Sequence, residues 1–256
     1  MTGGTLLILG GTAEAAALAA ALTGRYGRHW RIVTSLAGRV ARPAARPGLM
    51  RSGGFGGASG LAGWLRREKT RLVVDATHPF AVTMAAHAAT ACASLDIPRL
   101  RLLRLAWRPA AGDRWIAVPD LAAAAAWLDG ACQERALLTA GSGGLAYFAA
   151  VRGPRLFARV MSPPVPAAVP AGCTILLDPG PFTLAAERAL LDCLGVSLLV
   201  ARNSGGASGR ARLRAARERG IRVLMVARPP QPAGPAASSV DGALDWVRCC
   251  LDAGPA

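Results

Sequence analysis

Five short stretches of the 256-residue chain carry groups that could hold a ligand or move a proton. Asp75-Ala-Thr-His-Pro-Phe-Ala81 brings a carboxylate, a hydroxyl and an imidazole to the end of the apolar run Arg71-Leu-Val-Val74. His78 there could donate a proton or a hydrogen bond. The same residues also suit a helix start, with Asp75 or Thr77 as the cap, Pro79 in the first turn and His78 merely structural. Gly10-Gly11-Thr12-Ala13-Glu14 follows an apolar run and opens a helical pattern. At such a junction glycines let the backbone approach an anion, which free helix N–H groups then face. The stretch is neither a full GxGxxG nor a P-loop, and a plain turn is an equal reading.

Thr34-Ser35-Leu36-Ala37-Gly38-Arg39 ends the second apolar run, where dinucleotide folds contact the adenosine ribose. A carboxylate at that tip favours a free 2′-OH, whereas hydroxyls and arginine accept a 2′-phosphate. Ser35 and Arg39 therefore point to NADPH over NADH if a dinucleotide binds, the alternative being a surface arginine. Gly53-Gly54-Phe55-Gly56-Gly57 permits close backbone approach, to a ligand or to another segment. Asn203-Ser204-Gly205-Gly206, with Arg202 before it, repeats the Gly-bearing turn late in the chain, and it would equally serve as a helix cap.

Continuous apolar runs alternating with helical patterns must position these turns. Runs at Thr5–Leu9, Arg31–Thr34, Leu49–Ser52, Arg71–Asp75 and Pro98–Leu103 form a first series, with helices near 14–22, 61–67 and 81–94. A second series has strands at 136–139, 155–161, 174–177, 197–201 and 222–227 and helices at 121–128, 183–194, 210–219 and 240–251. Strands of this kind are parallel and buried on both faces. The Pro-rich segments 162–170 and 228–235 are loops. The expected fold is α/β, two Rossmann-like doubly wound parallel-sheet domains with a cleft between them, spanning 1–105 and 106–256.

Composition narrows the ligand. Net charge is +15, and Lys69 is the only lysine among 30 basic residues. The arginines are spread along the chain, unlike a basic arm or recognition helix, so a polyanionic small molecule ranks above nucleic acid. Arginine also grips carboxylate and phosphate through a two-pronged fork. Neither Tyr26 nor Tyr147 stands at Tyr-x-x-x-Lys spacing from Lys69, which excludes that route of alcohol oxidation. The six cysteines form no CxxC, so no metal site is expected and reduced, buried thiols are. With no apolar stretch long enough for a membrane span or a leader, a cytoplasmic protein without membrane attachment is expected.

Taken in order, Leu9–Glu14, Thr34–Arg39, Gly53–Gly57 with Gly60-Leu61, Asp75–Ala81, Leu100–Leu102 with Arg104 and Trp107, Asn203–Gly206 and Val226–Pro229 resemble the precorrin-6A reductase family of corrin-ring (vitamin B12) biosynthesis. The resemblance implies NADPH-dependent reduction of one macrocycle double bond of precorrin-6A to dihydroprecorrin-6 (precorrin-6B). The cobalt-bearing substrate of the anaerobic pathway and a non-catalytic tetrapyrrole or dinucleotide binder are the alternatives. It implies that domain 1–105 binds NADPH and domain 106–256 the substrate. Gly10, Gly11, Thr12, Glu14, Ser35, Arg39, Gly54, Thr77, His78, Asn203 and Ser204 would contact the cofactor. His78 would also donate a proton or position substrate. Phe80, Arg101, Arg104, Trp107, Arg108, Gly205 and Gly206 would meet the substrate, whose rim of acetate and propionate groups makes it a polycarboxylate. Transient contact with neighbouring pathway enzymes is the one protein partnership implied. Arg202 stands where the family often has lysine before its Asn-Ser-Gly-Gly motif. Thr139–Gly144 lacks the basic residue expected of relatives in that turn.

Overall fold

Thr5–Leu9 (β1) is buried along its whole length, as its unbroken apolar run requires of a strand covered on both faces. One side meets Leu18, Leu22 and Ile32 through Leu6 and Ile8. The other meets Leu61, Leu65, Ala88 and Cys92 through Leu7 and Leu9. The computed structural model describes residues 3–37, 47–180 and 182–252, and the chain divides into two compact units.

The first unit comprises Met1–Leu105 and Pro229–Ala256. After β1 come helix α1 (Ala13–Tyr26), β2 (Arg31–Leu36), β3 (Leu49–Ser52), α2 (Gly57–Arg67), β4 (Thr70–Asp75), α3 (Val82–Ala93) and β5 (Arg99–Leu102). The chain returns late to add a short strand, Ala236–Ala237, and a helix, Val240–Asp252. That strand pairs in parallel with β5, Ala236 opposite Arg101.

The second unit, Ala106–Arg228, holds β6 (Arg114–Val118), α4 (Leu121–Asp129), β7 (Arg135–Thr139), a 3-10 turn (Ser142–Phe148), β8 (Arg155–Val160), β9 (Thr174–Leu177), α5 (Leu184–Cys193), β10 (Leu198–Arg202), α6 (Arg210–Glu218) and β11 (Arg222–Val226). The late strand and helix of the first unit are then β12 and α7. Leu137, Leu199 and Met225 of this second sheet pack on Leu191 of α5 and Leu213 and Ala216 of α6.

Both sheets are parallel throughout and six-stranded, in the orders β3-β2-β1-β4-β5-β12 and β9-β8-β7-β10-β11-β6. The first is the doubly wound dinucleotide-fold order, with its switch point between β1 and β4. The second follows the same plan, except that its outermost strand comes first in the chain. The α/β, twice doubly wound expectation is met.

Residues 229–252 depart from the expected continuous 106–256 domain. Backbone hydrogen bonds from Arg101 to Pro235 and from Leu103 to Ala237 draw them to β5. Ala243 and Val247 of α7 then close the apolar face formed by Leu6, Ile8, Leu18 and Leu22. Of the six free cysteines only Cys92 is buried, contrary to the expectation of buried thiols. No helix among the described residues is long and apolar enough to cross a membrane.

Candidate active site

The first unit gathers its polar groups at the β1/β4 switch point. Gly10 donates its N–H to Ser35 O at 2.8 Å, and a Cβ there would stand 3.0 Å from Thr34 Cγ2, a tight contact with the neighbouring strand. Gly11 has φ +110, a backbone region that L side chains avoid, and open space where a Cβ would point. Thr12 caps α1 by accepting from Ala15 N at 3.1 Å and donates its hydroxyl to Ala76 O at 2.9 Å. The turn after β1 is thereby tied to the turn after β4. Thr12, Glu14, Thr77, Pro79 and Arg104 line a shallow recess at this point, with Glu14 and Arg104 paired at 2.7 Å.

The Asp75–Phe80 turn is held from beneath. Asp75 is wholly buried, and its Oδ1 accepts from Thr77 Oγ1 at 2.7 Å, from Thr77 N at 3.1 Å and from Arg101 Nη1 at 2.9 Å. Its Oδ2 accepts no hydrogen bond. Arg101 also donates to the Asp75 and Thr77 carbonyls, and from Nε and Nη2 to Gln231 Oε1 at 3.2 and 3.1 Å. Gln231 Nε2 in turn donates to Pro79 O at 3.0 Å. Above this scaffold the half-buried His78 accepts from Phe80 N through Nδ1 at 3.2 Å, which leaves Nε2 as the protonated nitrogen of the neutral ring. The Phe80 ring lies 5.8 Å from the imidazole.

Arg101 was expected on substrate carboxylates, and the structure corrects this. It is 2% exposed and turned inward, because the β4/β5 register sets it opposite Asp75. Arg104 does line the recess, and Arg108 is exposed.

At the outer end of β2 and β3, Arg51 donates from Nη1 to Ser35 Oγ at 2.9 Å and to Gly53 O at 3.0 Å, and from Nη2 to Gly54 O at 3.0 Å. Its guanidinium lies 3.8 Å from the Phe55 ring centre. Burial lowers the Arg51 pKa, and the nearby Arg67 charge adds to that. Sequence reasoning missed Arg51, although its position two residues before the glycine loop was a usable signal. Arg39 lies outside the described residues. Gln231, in a Pro-rich loop distant in sequence, offered no signal.

In the second unit, Asn203 Oδ1 accepts from Trp107 N at 2.8 Å and its Nδ2 donates to Trp107 O at 3.0 Å. The Trp107 indole N–H donates to Gly206 O at 2.9 Å. Arg228 donates to the carbonyls of Asn203 and Ser204, at 2.7 and 2.9 Å. Gly205 and Gly206, at φ +68 and +77, complete the turn. Trp107 and the Asn-Ser-Gly-Gly turn are thus brought together, the Asn203 side chain committed to the Trp107 backbone. Among the described residues no group of three or more His, Cys, Asp or Glu could hold a metal ion.

Two doubly wound sheets, the first with a Gly-Gly-Thr turn at its switch point, define a two-unit α/β protein of the dinucleotide-fold type. The sequence model of the family described as precorrin-6x reductase CbiJ/CobK matches residues 5–248. The precorrin-6A reductase of Mycobacterium tuberculosis is 47% identical over 243 residues, covering 94% of this chain and 96% of that one. The Rhodobacter capsulatus precorrin-6A reductase is 40% identical over 243 residues, 94% of this chain and 95% of its own. A solved structure of a CobK precorrin-6A reductase superposes with a TM-score of 0.89 at 38% identity, covering 98% of this chain and 97% of that one. The chain belongs to the precorrin-6x reductase CbiJ/CobK family.

Proposed function

We infer that the chain is an oxidoreductase that reduces one double bond of precorrin-6A to give dihydroprecorrin-6 (precorrin-6B) at the expense of NADPH. The observation that carries the reading is the full-length likeness to proteins named precorrin-6A reductase, at 38–47% identity. The cytoplasm, where free thiols persist, is its proposed setting.

The first unit suits a dinucleotide. The open space over Gly11 and the free N–H groups at the start of α1 form a cradle for a pyrophosphate that a Cβ would narrow. Ser35 and Arg51 take the 2′-phosphate, since the tip of β2 offers a hydroxyl and a guanidinium there and no carboxylate among the described residues. When bound, the cofactor supplies the hydride, and the protein's share is orientation and protonation. Thr77 and His78 face the reacting groups from a turn that Asp75, Arg101 and Gln231 hold still. His78 is the proposed proton donor: as the imidazolium it gives up the Phe80 N–H contact at Nδ1, passes its Nε2 proton to the carbon next to the one that accepts hydride, and is reprotonated from solvent. Arg104 meets a carboxylate of the substrate, exchanging part of its contact with Glu14. In the second unit, Trp107 and the Asn203–Gly206 turn offer an aromatic face and glycine backbone to ligand.

The test is oxidation of NADPH by the purified chain with precorrin-6A as acceptor, alongside calorimetric titration with NADPH. Absence of both turnover and binding refutes the reading; binding without turnover would leave a non-catalytic binder.

A further inference from the structure

Two side chains divide the carbonyl groups at the end of β4 and in the turn after it, and the division is uneven. Arg101 takes three, from Nη1 to Asp75 O at 3.0 Å and Thr77 O at 3.1 Å, and from Nη2 to His78 O at 3.4 Å. The Ala81 N–H also donates to His78 O, at 2.8 Å. The next carbonyl, Pro79 O, is held by Gln231 Nε2 at 3.0 Å instead. The Gln231 amide has one workable orientation. Its Oε1 accepts from Arg101 Nε and Nη2 at 3.2 and 3.1 Å, and its Nε2 donates to Pro229 O at 2.9 Å as well. Turned over, it would set an NH2 against a guanidinium and an oxygen against two carbonyls.

The Pro79 carbonyl and the Phe80 N–H belong to one rigid peptide plane. Gln231 binds the carbonyl end, and the N–H end donates to His78 Nδ1 at 3.2 Å. Gln231 therefore fixes the direction of the group that the imidazole accepts from, and its donation polarises the peptide so that the N–H is the stronger donor.

A proton added at Nδ1 turns this contact into two N–H groups set against each other, and one partner must move. A flip of the peptide would break the bond to Gln231 and strand the carbonyl of the buried Pro79, which is costly. Rotation of the ring costs less, because His78 is half-buried and its neighbours Thr77 and Pro79 line the recess. The charged groups around the turn within the first unit are internally matched. Asp75 of β4 pairs with Arg101 of β5 beneath it, and Glu14 of α1 with Arg104 across the recess. Cys92 of α3, whose thiol is pushed up to about 12 by burial, stays neutral. The Phe80 contact is thus the interaction that the Nδ1 proton reverses.

We propose that Gln231 is a positioning residue for proton delivery: by holding the Pro79–Phe80 peptide it makes the protonated His78 ring, and not the backbone, the part that moves, swinging Nε2–H toward the recess. The proton count balances. Solvent protonates Nδ1, the ring passes its Nε2 proton to the substrate carbon, and solvent replaces that proton, so one solvent proton is consumed per hydride. Loss of the Nδ1 proton returns the ring to Phe80. That His78 serves as the donor rests on the function proposed above; the swing of the ring does not.

The test is an NMR titration of the full-length wild-type chain carrying nitrogen-15 in histidine, phenylalanine and glutamine. The sequence holds three histidines, five phenylalanines and two glutamines, so single substitutions assign every signal. As the His78 ring takes up its proton, the Phe80 N–H resonance moves with the same midpoint, while the Gln231 side-chain amide keeps its position and its slow exchange with solvent. A Gln231 amide that shifts or opens at that midpoint reports a peptide flip and overturns the proposal. So does a Phe80 N–H that ignores the His78 proton. In turnover, Gln231→Glu keeps an acceptor for Arg101 and removes the donor to Pro79 O. It should lower kcat with precorrin-6A about ten-fold, with the KM and the NADPH Kd within about two-fold of wild type. Gln231→Met removes both contacts and should lose at least as much. An unchanged kcat, or a loss that falls on KM alone, overturns the positioning role. The wild-type titration needs no variant, so it decides even where a substitution impairs folding. If wild type does not turn over precorrin-6A at all, the functional reading fails, while the titration still decides which part moves.

Discussion

Asp75 and Arg101 sit opposite each other on neighbouring strands, 2.9 Å apart, with side chains 0% and 3% exposed. Their pairing holds the turn that carries Thr77 and His78, so its loss bears on both stability and geometry. Arg101→Leu strands a carboxylate whose second oxygen already has no partner. The expected cost is about 3–5 kcal/mol in urea unfolding. Asp75→Asn combined with Arg101→Leu should recover part of it, because no bare charge remains. A loss below about 1 kcal/mol, typical of surface pairs, would mean that water reaches the pair.

The contribution of residues 229–252 to the first unit is testable by truncation. A chain ending at Arg228 loses β12, Gln231 and the α7 side chains Ala243 and Val247 that cover Leu6, Ile8, Leu18 and Leu22. Two-step urea unfolding, or loss of cooperative unfolding in the first unit, is expected, with NADPH binding abolished. Full NADPH affinity in the truncated chain would show that this unit stands without its late segment.

That segment also marks where sequence reading stops. β1, β4 and β10 were legible because strands buried on both faces are unbroken apolar runs. β6 was not: Arg-Trp-Ile-Ala-Val begins with a charge and buries only Val118, as an edge strand does. β12 is two alanines, with no pattern to read. α7 was legible as a helix, but which sheet it covers is decided by pairing across a Pro-rich loop. Arg101 and Arg104 show the same limit within the site. Both are arginines at the end of one strand, and only the register with Asp75 turns the first inward. By contrast, the Gly10-Gly11 turn could be placed from sequence because the conformation of Gly11 favours glycine.

Arg51 should decide between the two nicotinamide cofactors. It donates to Ser35 and to the Gly53 and Gly54 carbonyls, and its stacking on Phe55 fixes its plane. Arg51→Ala is expected to weaken NADPH binding about 10- to 100-fold while leaving NADH within about two-fold, since a charge-assisted contact to the 2′-phosphate is removed. Calorimetry with both cofactors measures it. Equal losses would relocate the 2′-phosphate away from Arg51.

Glu218 joins α6 to α5 through Arg188, at 2.7 Å, and ties to Arg214 on its own helix at 3.0 Å. The hydrogen bond from Arg188 lowers its pKa from 4.5 to about 2, with Arg214 assisting. A carboxylate with a depressed folded pKa contributes stability that is fully present above the unfolded value and lost as pH falls through the folded one. The urea midpoint of wild type should therefore exceed that of Glu218→Gln near neutrality, and the gap should close between pH 4.5 and about 2. A gap that is constant over this range would trace to packing instead. High salt should shrink it, the pair being exposed.

His78 is the sharpest test of the chemistry. Its Nδ1 is occupied by the Phe80 N–H, so the neutral ring presents its proton at Nε2, on a turn anchored by Asp75, Arg101 and Gln231. Once a solvent proton makes the ring an imidazolium, a donor so placed is worth about 10²–10⁴ in kcat, and His78→Ala should lose that much with the NADPH Kd unchanged. His78→Gln separates two roles, because its amide can hydrogen-bond substrate yet cannot surrender a proton. Recovery of the KM in the Gln variant without recovery of kcat assigns His78 to proton transfer. Recovery of both makes it a positioning residue. Added imidazole should restore part of the turnover of the Ala variant, since a small diffusible acid can occupy the space vacated by the ring. Wild-type kcat in the Ala variant would give protonation to solvent and leave the Thr77–His78 turn with the task of shaping the recess.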